Sequence, residues 1–529
     1  MIKIEKDVFY MSAGETCYVL KKSADGKLMH VYFGKRVEPE DDLLSLGVEP
    51  SEEFSVEITA GKSTAPCGFI VDGAEVLPEK PSGELTLGGG KTLKVSLVDG
   101  VNKLRAELYY TAYSRGGYTR RTVIYNDGNK AASLSVRTAI STDMARLSAC
   151  DGLSGFKAVG SADCNEKTGE AYGFLCPYLD GEVKIEKAGG KSLVGCAEEV
   201  ALAPGESYYS PEILAVYSDL GIGGMSRIFH DVLRETIKGE VERSQTALFL
   251  PSMPKGKVAE AAEQACELGY DFVAVDFVKY ETEIAELSKA CAEAGIKLGL
   301  RISQSGIKKK AGSADLFSAV EQAIISHGIR YVLVELSGSP EEKPIAAAVY
   351  NLRARLADSS PDTVVEWGKT TKADKAAALC FPLCVMRNVV TPTGGALKSM
   401  FDYATLGLLA YAFDPTEIQE GVKRAVRAQI LSYQDDAPVV MNGDLYRTEG
   451  GKCSVCVSKD KSRAYAVCDI GKAPTTVKLV GLDEHNIYRV RELNKAFSGA
   501  ALMYYGITLP TSEEPTTATL HLRQVADYE

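Results

Sequence analysis

Three apolar runs in the middle of the chain end on carboxylates. Asp271–Asp276 (DFVAVD) closes on Asp276, Arg330–Leu336 (RYVLVEL) carries Glu335, and Thr363–Trp367 carries Glu366 beside Trp367. Carboxyl groups at the ends of buried strands are where a β/α fold holds acids, bases and nucleophiles. Two of them at short range can divide nucleophilic and proton-transfer work, so the separations among Asp276, Glu335 and Glu366 decide what chemistry is open. Arg301, near the end of Lys297–Ile302 (KLGLRI), and Lys369 add cations to the same strand ends. They could make an anion-binding mouth, although a charge pair with Glu335 or Glu366 is the plainer role. The plainer roles of the others are a solvated strand end for Glu335, a cap of the following turn for Asp276 and a plug of the mouth for Trp367.

Other groups with possible chemistry carry less. Cys453 and Cys456 form a CxxC, but they lie in an alternating stretch where positions i and i+3 face opposite sides of a strand. A structural zinc site would also need a second ligand pair, which Cys468 alone does not supply. No metal and no cofactor is expected. The thirteen cysteines are scattered, and no apolar segment of signal-peptide length opens the chain, so they read as reduced thiols of a cytoplasmic protein. No stretch reaches the length of a membrane span. A net charge of -11, spread along the chain, argues against a nucleic-acid partner. The basic run Lys308-Lys309-Lys310 reads as a solvated loop.

The elements that must position these groups fall into successive blocks. At 529 residues the chain is too long for one core. Residues 1–219 read as short alternating strands, among them Lys91–Val98, Leu104–Tyr113, Arg121–Tyr125 and Ser133–Ala139, separated by turn signals such as Asn126-Asp127-Gly128. That pattern predicts an N-terminal β-sandwich. A connector helix is expected in residues 220–245, where Ile228, Phe229, Val232, Leu233 and Ile237 repeat at helical spacing. Residues 246–433 alternate strand and helix with near-continuous apolar strands, which predicts a parallel sheet covered on both faces and closed as a (β/α) barrel. Only about seven strands are convincing, and the stretch is shorter than the ~200–250 residues usual for this fold. The barrel is therefore expected to be stripped of long loops, and the strand count leaves open whether it has all eight units or lacks one. Residues 434–529 return to alternating strands and predict a small antiparallel β domain.

Several strings give this order a family likeness. Leu28–Val37 (LMHVYFGKRV), Glu107–Ile124 (ELYYTAYSRGGYTRRTVI) and Pro211–Glu235 (PEILAVYSDLGIGGMSRIFHDVLRE) resemble the sandwich and linker of the α-galactosidases of glycoside hydrolase family 36. Gly443–Arg447 (GDLYR) and Ser498–Pro510 (SGAALMYYGITLP) resemble their C-terminal part. These strings flank the barrel on both sides.

Carried into the barrel, the resemblance puts Asp276 at the first of a pair of sugar-binding Asp residues, with Phe277 in place of the second and Lys279 in place of a Trp. Arg301 stands in for another Trp, and Ser303 and Ser305 for two Glu. Glu335 falls at the nucleophilic Asp, Leu333 at a Lys and Ser337 at an Asn. The segment Glu366–Asp374 replaces a small-residue loop. Glu366, Trp367 and Lys369 are candidates for substrate binding, with Trp367 as a platform for stacking a sugar ring. For the acid/base Asp, one alignment places Asn388 at its position. Another assigns Val389–Pro392 to the next strand, in which case the acid/base unit is deleted.

An amide is no general acid near neutral pH, and the extra methylene of Glu335 displaces its oxygens by about a bond length. A single tryptophan against 26 tyrosines also argues against a well-developed sugar cleft. The resemblance thus implies an α-galactosidase-like protein of carbohydrate metabolism that has lost its catalysis. An active retaining α-glycosidase using Glu335 and a sugar-binding or scaffold partner in an oligomer are the alternatives. The ligand implied is an α-galactoside or another sugar, and the family likeness implies homo-oligomer contacts.

Overall fold

The computed structural model describes residues 1–38, 41–45, 50–60, 63–78, 80–81, 90–142, 144–150, 153, 155–176, 183–188, 191–236, 246–303, 306–307, 313–335, 343–368, 376–392 and 397–526. The chain divides into two compact units, Met1–Lys238 with Leu379–Phe381, and Gly239–Ala378 with Pro382–Glu529.

The first unit is built from antiparallel sheets. Lys91–Asp99, Leu104–Ala112 and Gly117–Asn126 are hydrogen-bonded neighbours in a nine-stranded sheet, and Ala132–Thr142 lies between Lys191–Leu202 and Ser55–Ala60 in a five-stranded one. Alternation sends Leu93, Val95, Leu97, Ala106 and Leu108 of the first sheet into one core with Leu134, Val136 and Val194 of the second. This is the expected sandwich. A further five-stranded sheet holds the first strands of the chain, including Leu28–Lys35. The connector helix runs Gly221–Thr236 and buries Met225, Phe229 and Val232.

The second unit carries the parallel strands, labelled here β1 Ala247–Phe249, β2 Phe272–Asp276, β3 Lys297–Ile302, β4 Tyr331–Glu335, β5 Val364–Gly368, β6 Arg387–Val390 and β7 Leu408–Ala412. The helices among and after them are α1 Lys255–Leu268, α2 Ile284–Glu293, α3 Ser313–His327, α4 Lys343–Ser359, α5 Leu397–Ala404 and α6 Glu420–Asn442. The sheet order is β5-β4-β3-β2-β1-β7-β6, and every pairing among the described residues is parallel. That is the order of strands around a barrel, with β1 between β2 and the last strand. Closure would need β5 beside β6, and among the described residues these two strands are not paired. Where another strand and helix would stand between them, the described part of the chain makes two 3₁₀ turns, Ala377–Leu379 and Leu383–Val385. Among the described residues, the (β/α) barrel expected from the alternation is an open, barrel-ordered parallel sheet of seven strands.

Two expectations need correction. The cysteines are not all reduced: Cys453 and Cys468 form a disulfide. They face each other directly across Cys453–Val457 and Arg463–Ile470, so the partner of Cys453 lies across the ladder rather than at Cys456. Helix α6 also continues to Asn442, through Pro438, where alternating strands were expected from about residue 435. Its last turns are held by burial of Asp436, Ala437, Val439, Val440 and Met441, and tertiary packing outweighs the one hydrogen bond that proline removes. Beyond α6, Asp444–Arg447, Cys453–Val457, Arg463–Ile470, Thr516–Val525, Ile487–Val490 and Lys495–Ser498 form a six-stranded antiparallel sheet. No described helix is long and apolar enough to cross a membrane.

Candidate functional site

Side chains on the parallel strands alternate between the helices and the barrel interior. Ala247, Phe249, Phe272, Ala274, Tyr331, Leu333 and Ala410 form the interior cluster. Counting by twos from these residues puts Asp276 of β2 and Glu335 of β4 on the same interior face, at its C-terminal rim. Gly299 of β3 belongs there too, since an added Cβ would lie 3.0 Å from the Tyr331 ring and 3.2 Å from the Phe272 ring. This makes Arg301 the rim residue of β3, and it is the ladder partner of Asp276.

Three of the sequence candidates therefore meet on adjacent strands. Asp276 caps the one-turn helix Phe277–Tyr280, accepting from the Lys279 amide at 3.2 Å, and its other oxygen accepts from the Ser303 hydroxyl at 2.6 Å. Arg301 Nε lies 3.6 Å from Glu335 Oε1, with each side chain 22% exposed. Burial pushes the Glu335 carboxyl above the usual range, Arg301 pulls it back, and the charge of Asp276 pushes it up again.

The other candidates go elsewhere. Glu366 of β5 makes a two-pronged ion pair with Arg387 of β6, at 2.9 Å from Nη2 and 3.2 Å from Nε, with side-chain exposures of 11% and 7%. Tyr331 donates to the same carboxylate at 2.7 Å. Arg387 also donates to the Leu409 carbonyl at 3.2 Å, and its guanidinium carbon lies 5.3 Å from the Tyr331 ring centre and 5.8 Å from that of Phe272. Burial disfavours the Arg387 cation, but Glu366 and Tyr331 more than offset this and raise its pKa. Burial raises the Tyr331 phenol, with the Glu366 charge adding to it. The pair thus spans the place where β5 and β6 do not hydrogen-bond. Beneath the rim, the Phe272 and Tyr331 rings pack with centres 4.2 Å apart and fill the interior.

Asn388 is 2% exposed. On β6 it alternates with Arg387 and with Val389, which packs against the interior cluster, so Asn388 faces the helix side. Its Nδ2 donates to the carbonyls of Ala404 and Leu406, at 3.3 and 3.0 Å. Trp367 is on β5, but its side chain lies outside the described residues, as do Ser305, Lys308-Lys309-Lys310, Ser337 and Lys369. Among the described residues no group of three His, Cys, Asp or Glu could hold a metal.

Arg387 and Tyr331 were missed from sequence. Arg387 is the only charge in the run Cys384–Val390, a signal for a buried partner, but nothing local names Glu366 as that partner.

Comparison with known proteins agrees with this architecture. Residues 453–522 match the family model for the glycosyl hydrolase family 36 C-terminal domain. The α-galactosidase AgaA of Geobacillus stearothermophilus is 21% identical over 701 aligned positions, covering 95% of this chain and 96% of AgaA. The crystal structure of α-galactosidase AgaB from the same organism superposes with a TM-score of 0.80 at 19% identity, covering 99% of this chain and 100% of AgaB. An AgaA variant in complex with raffinose gives a TM-score of 0.80 at 19% identity, covering 98% and 100% of the two chains. The chain is thus similar to family 36 α-galactosidases over nearly its whole length, and it shares their fold.

Proposed function

We propose that this protein is a non-hydrolysing relative of the family 36 α-galactosidases that binds a sugar at the rim formed by Asp276, Arg301 and Glu335. The observation that carries the reading is the orientation of Asn388. Its amide is spent on two backbone carbonyls of the helix side, so the position that one alignment gives to the proton donor contributes nothing to the rim. Glu366, the other candidate carboxylate, is occupied by Arg387. Glu335 stands at the nucleophile position of the resemblance, yet burial favours its protonated form, and a carboxylate must be ionised to attack. Asp276 keeps free acceptor capacity beyond its two hydrogen bonds, since a carboxylate offers about four lone-pair sites. The raffinose bound by a relative is in keeping with a galactoside-type ligand here.

A second reading rests on the same rim. A carboxyl whose pKa is raised by burial and by a neighbouring carboxylate is the arrangement of an acid/base pair, with Glu335 as donor and Asp276 beside it. An assay of aryl α-galactosides and other aryl α-glycosides separates the two. No turnover, together with sugar-induced thermal stabilisation that Asp276→Asn removes, is expected. Turnover abolished by both Glu335→Gln and Asp276→Asn would overturn the non-hydrolysing reading in favour of the second.

A further inference from the structure

Arg301 has an unmet requirement. Its Nε is buried and has no hydrogen-bond acceptor among the described residues. The nearest carboxylate oxygen, Glu335 Oε1, is 3.6 Å away, an ion-pair distance beyond hydrogen-bond reach. Buried donors in folded proteins are normally paired, so a guanidinium at a strand-end rim with an empty donor points to an acceptor supplied from outside. The planar fork of arginine fits a carboxylate two-pronged and does so more strongly than it fits a neutral hydroxyl.

We propose that the rim takes a carboxylate-bearing pyranose, a uronic acid, with the ligand carboxylate received by Arg301 and a ring hydroxyl donating to Asp276. This deepens the sugar-binding reading above and rests on it. Asp276 is held in place for that role by Ser303 and the Lys279 amide. Glu335 is the competitor for Arg301. Among the described residues, the charged groups acting on it are Arg301 from β3 and Asp276 from β2, while Glu366 on β5 is taken up by Arg387. Protonated, Glu335 releases Arg301 and can itself donate to the ligand. Ionised, it repels the ligand carboxylate. Binding therefore strengthens as pH falls.

The test is isothermal titration calorimetry of the full chain with D-galacturonate, D-galactose and acetate at pH 5.5 and 8. Galacturonate is expected to bind about tenfold tighter than galactose at the lower pH, the gain of one charge-assisted pair, and to weaken at the higher. Acetate is expected to give no binding. Arg301→Gln removes the preference for galacturonate, and Glu335→Gln, a near-isostere, makes galacturonate binding independent of pH. Galactose binding as tightly as galacturonate overturns the carboxylate inference and leaves the sugar-binding reading standing. Neither sugar binding overturns both. Acetate matching galacturonate overturns the uronate assignment in favour of a bare anion site. Should Arg301→Gln fail to fold, Glu335→Gln still decides: an unchanged pH dependence in that variant overturns the proposal.

Discussion

Arg387 and Glu366 grip each other through two hydrogen bonds, 2.9 and 3.2 Å long, across the opening between β5 and β6. In a closed barrel that opening is bridged by backbone hydrogen bonds from a further strand. Here a side-chain fork does the bridging, with Tyr331 as a third member. A buried pair of this kind costs desolvation and is retained only with good geometry and further hydrogen bonds; here the Glu366 oxygens also accept from Tyr331, and Arg387 also donates to the Leu409 carbonyl.

Removing one member should be severe. Arg387→Met leaves the Glu366 charge buried without its partner and is expected to destabilise the protein by about 3–5 kcal/mol. The double variant Arg387→Met/Glu366→Leu should recover much of that loss. Urea unfolding of the two variants and the natural chain checks this, and a double variant no better than the single one would refute it.

The Cys453–Cys468 disulfide closes a loop with a sequence separation of 15. A loop of that length contributes about 3 kcal/mol in the chain-entropy view. Cys453→Ser/Cys468→Ser is expected to lower the unfolding midpoint by a corresponding amount, and mass spectrometry before and after reduction should show a mass gain of two hydrogens for this bond.

His521 joins two acids in the second unit, with Nε2 2.8 Å from Asp436 Oδ2 on α6 and Nδ1 2.5 Å from Glu492 Oε1. Burial lowers its pKa, but the hydrogen bonds and charges of Asp436 and Glu492 win and raise it. A histidine with a raised folded pKa stabilises fully below its unfolded pKa of about 6.5 and loses that contribution as pH rises through the folded value. The natural chain should therefore lose stability relative to His521→Gln as pH climbs above about 6.5. Melting temperatures of both proteins across pH 5–9, the range in which histidine changes charge, test the sign.

Glu335 should titrate against stability in the same direction for a different reason. Burial holds its carboxyl up, Arg301 opposes this and Asp276 reinforces it. Its protonated form is the better tolerated one, so the folded state gains from it at low pH and loses as pH rises through the raised value. Glu335→Gln is expected to raise the melting temperature near pH 8 and to leave it unchanged near pH 3, well below the unfolded Glu pKa of about 4.3, where the carboxyl is protonated in both states. A variant that is less stable than the natural chain at pH 8 would show that the Arg301 charge pair outweighs burial.

Much of the architecture was legible in the sequence, because strand and helix here depend on local alternation. The runs DFVAVD, KLGLRI and RYVLVEL are apolar on both faces, as buried parallel strands must be, and they became β2, β3 and β4 within a residue. The same periodicity placed Asp276, Arg301 and Glu335 at strand ends, and parallel pairing alone brings such ends together.

What the sequence by itself determined, then, is the order of the blocks, the apolar strands at the centre of the chain and the charged groups at their tips. Tertiary structure alone decided how those groups are spent. Glu366 and Arg387 are 21 residues apart and meet only because β5 and β6 flank the opening of the sheet. Asn388 turns to the helix side because strand alternation gives the interior to Arg387 and Val389, and no local signal sets that phase in a four-residue strand. Cys453 finds Cys468 through ladder register, and Pro438 stays in a helix because its neighbours are buried. Each of these depends on partners distant in the chain, whose separation and facing are properties of the packed fold.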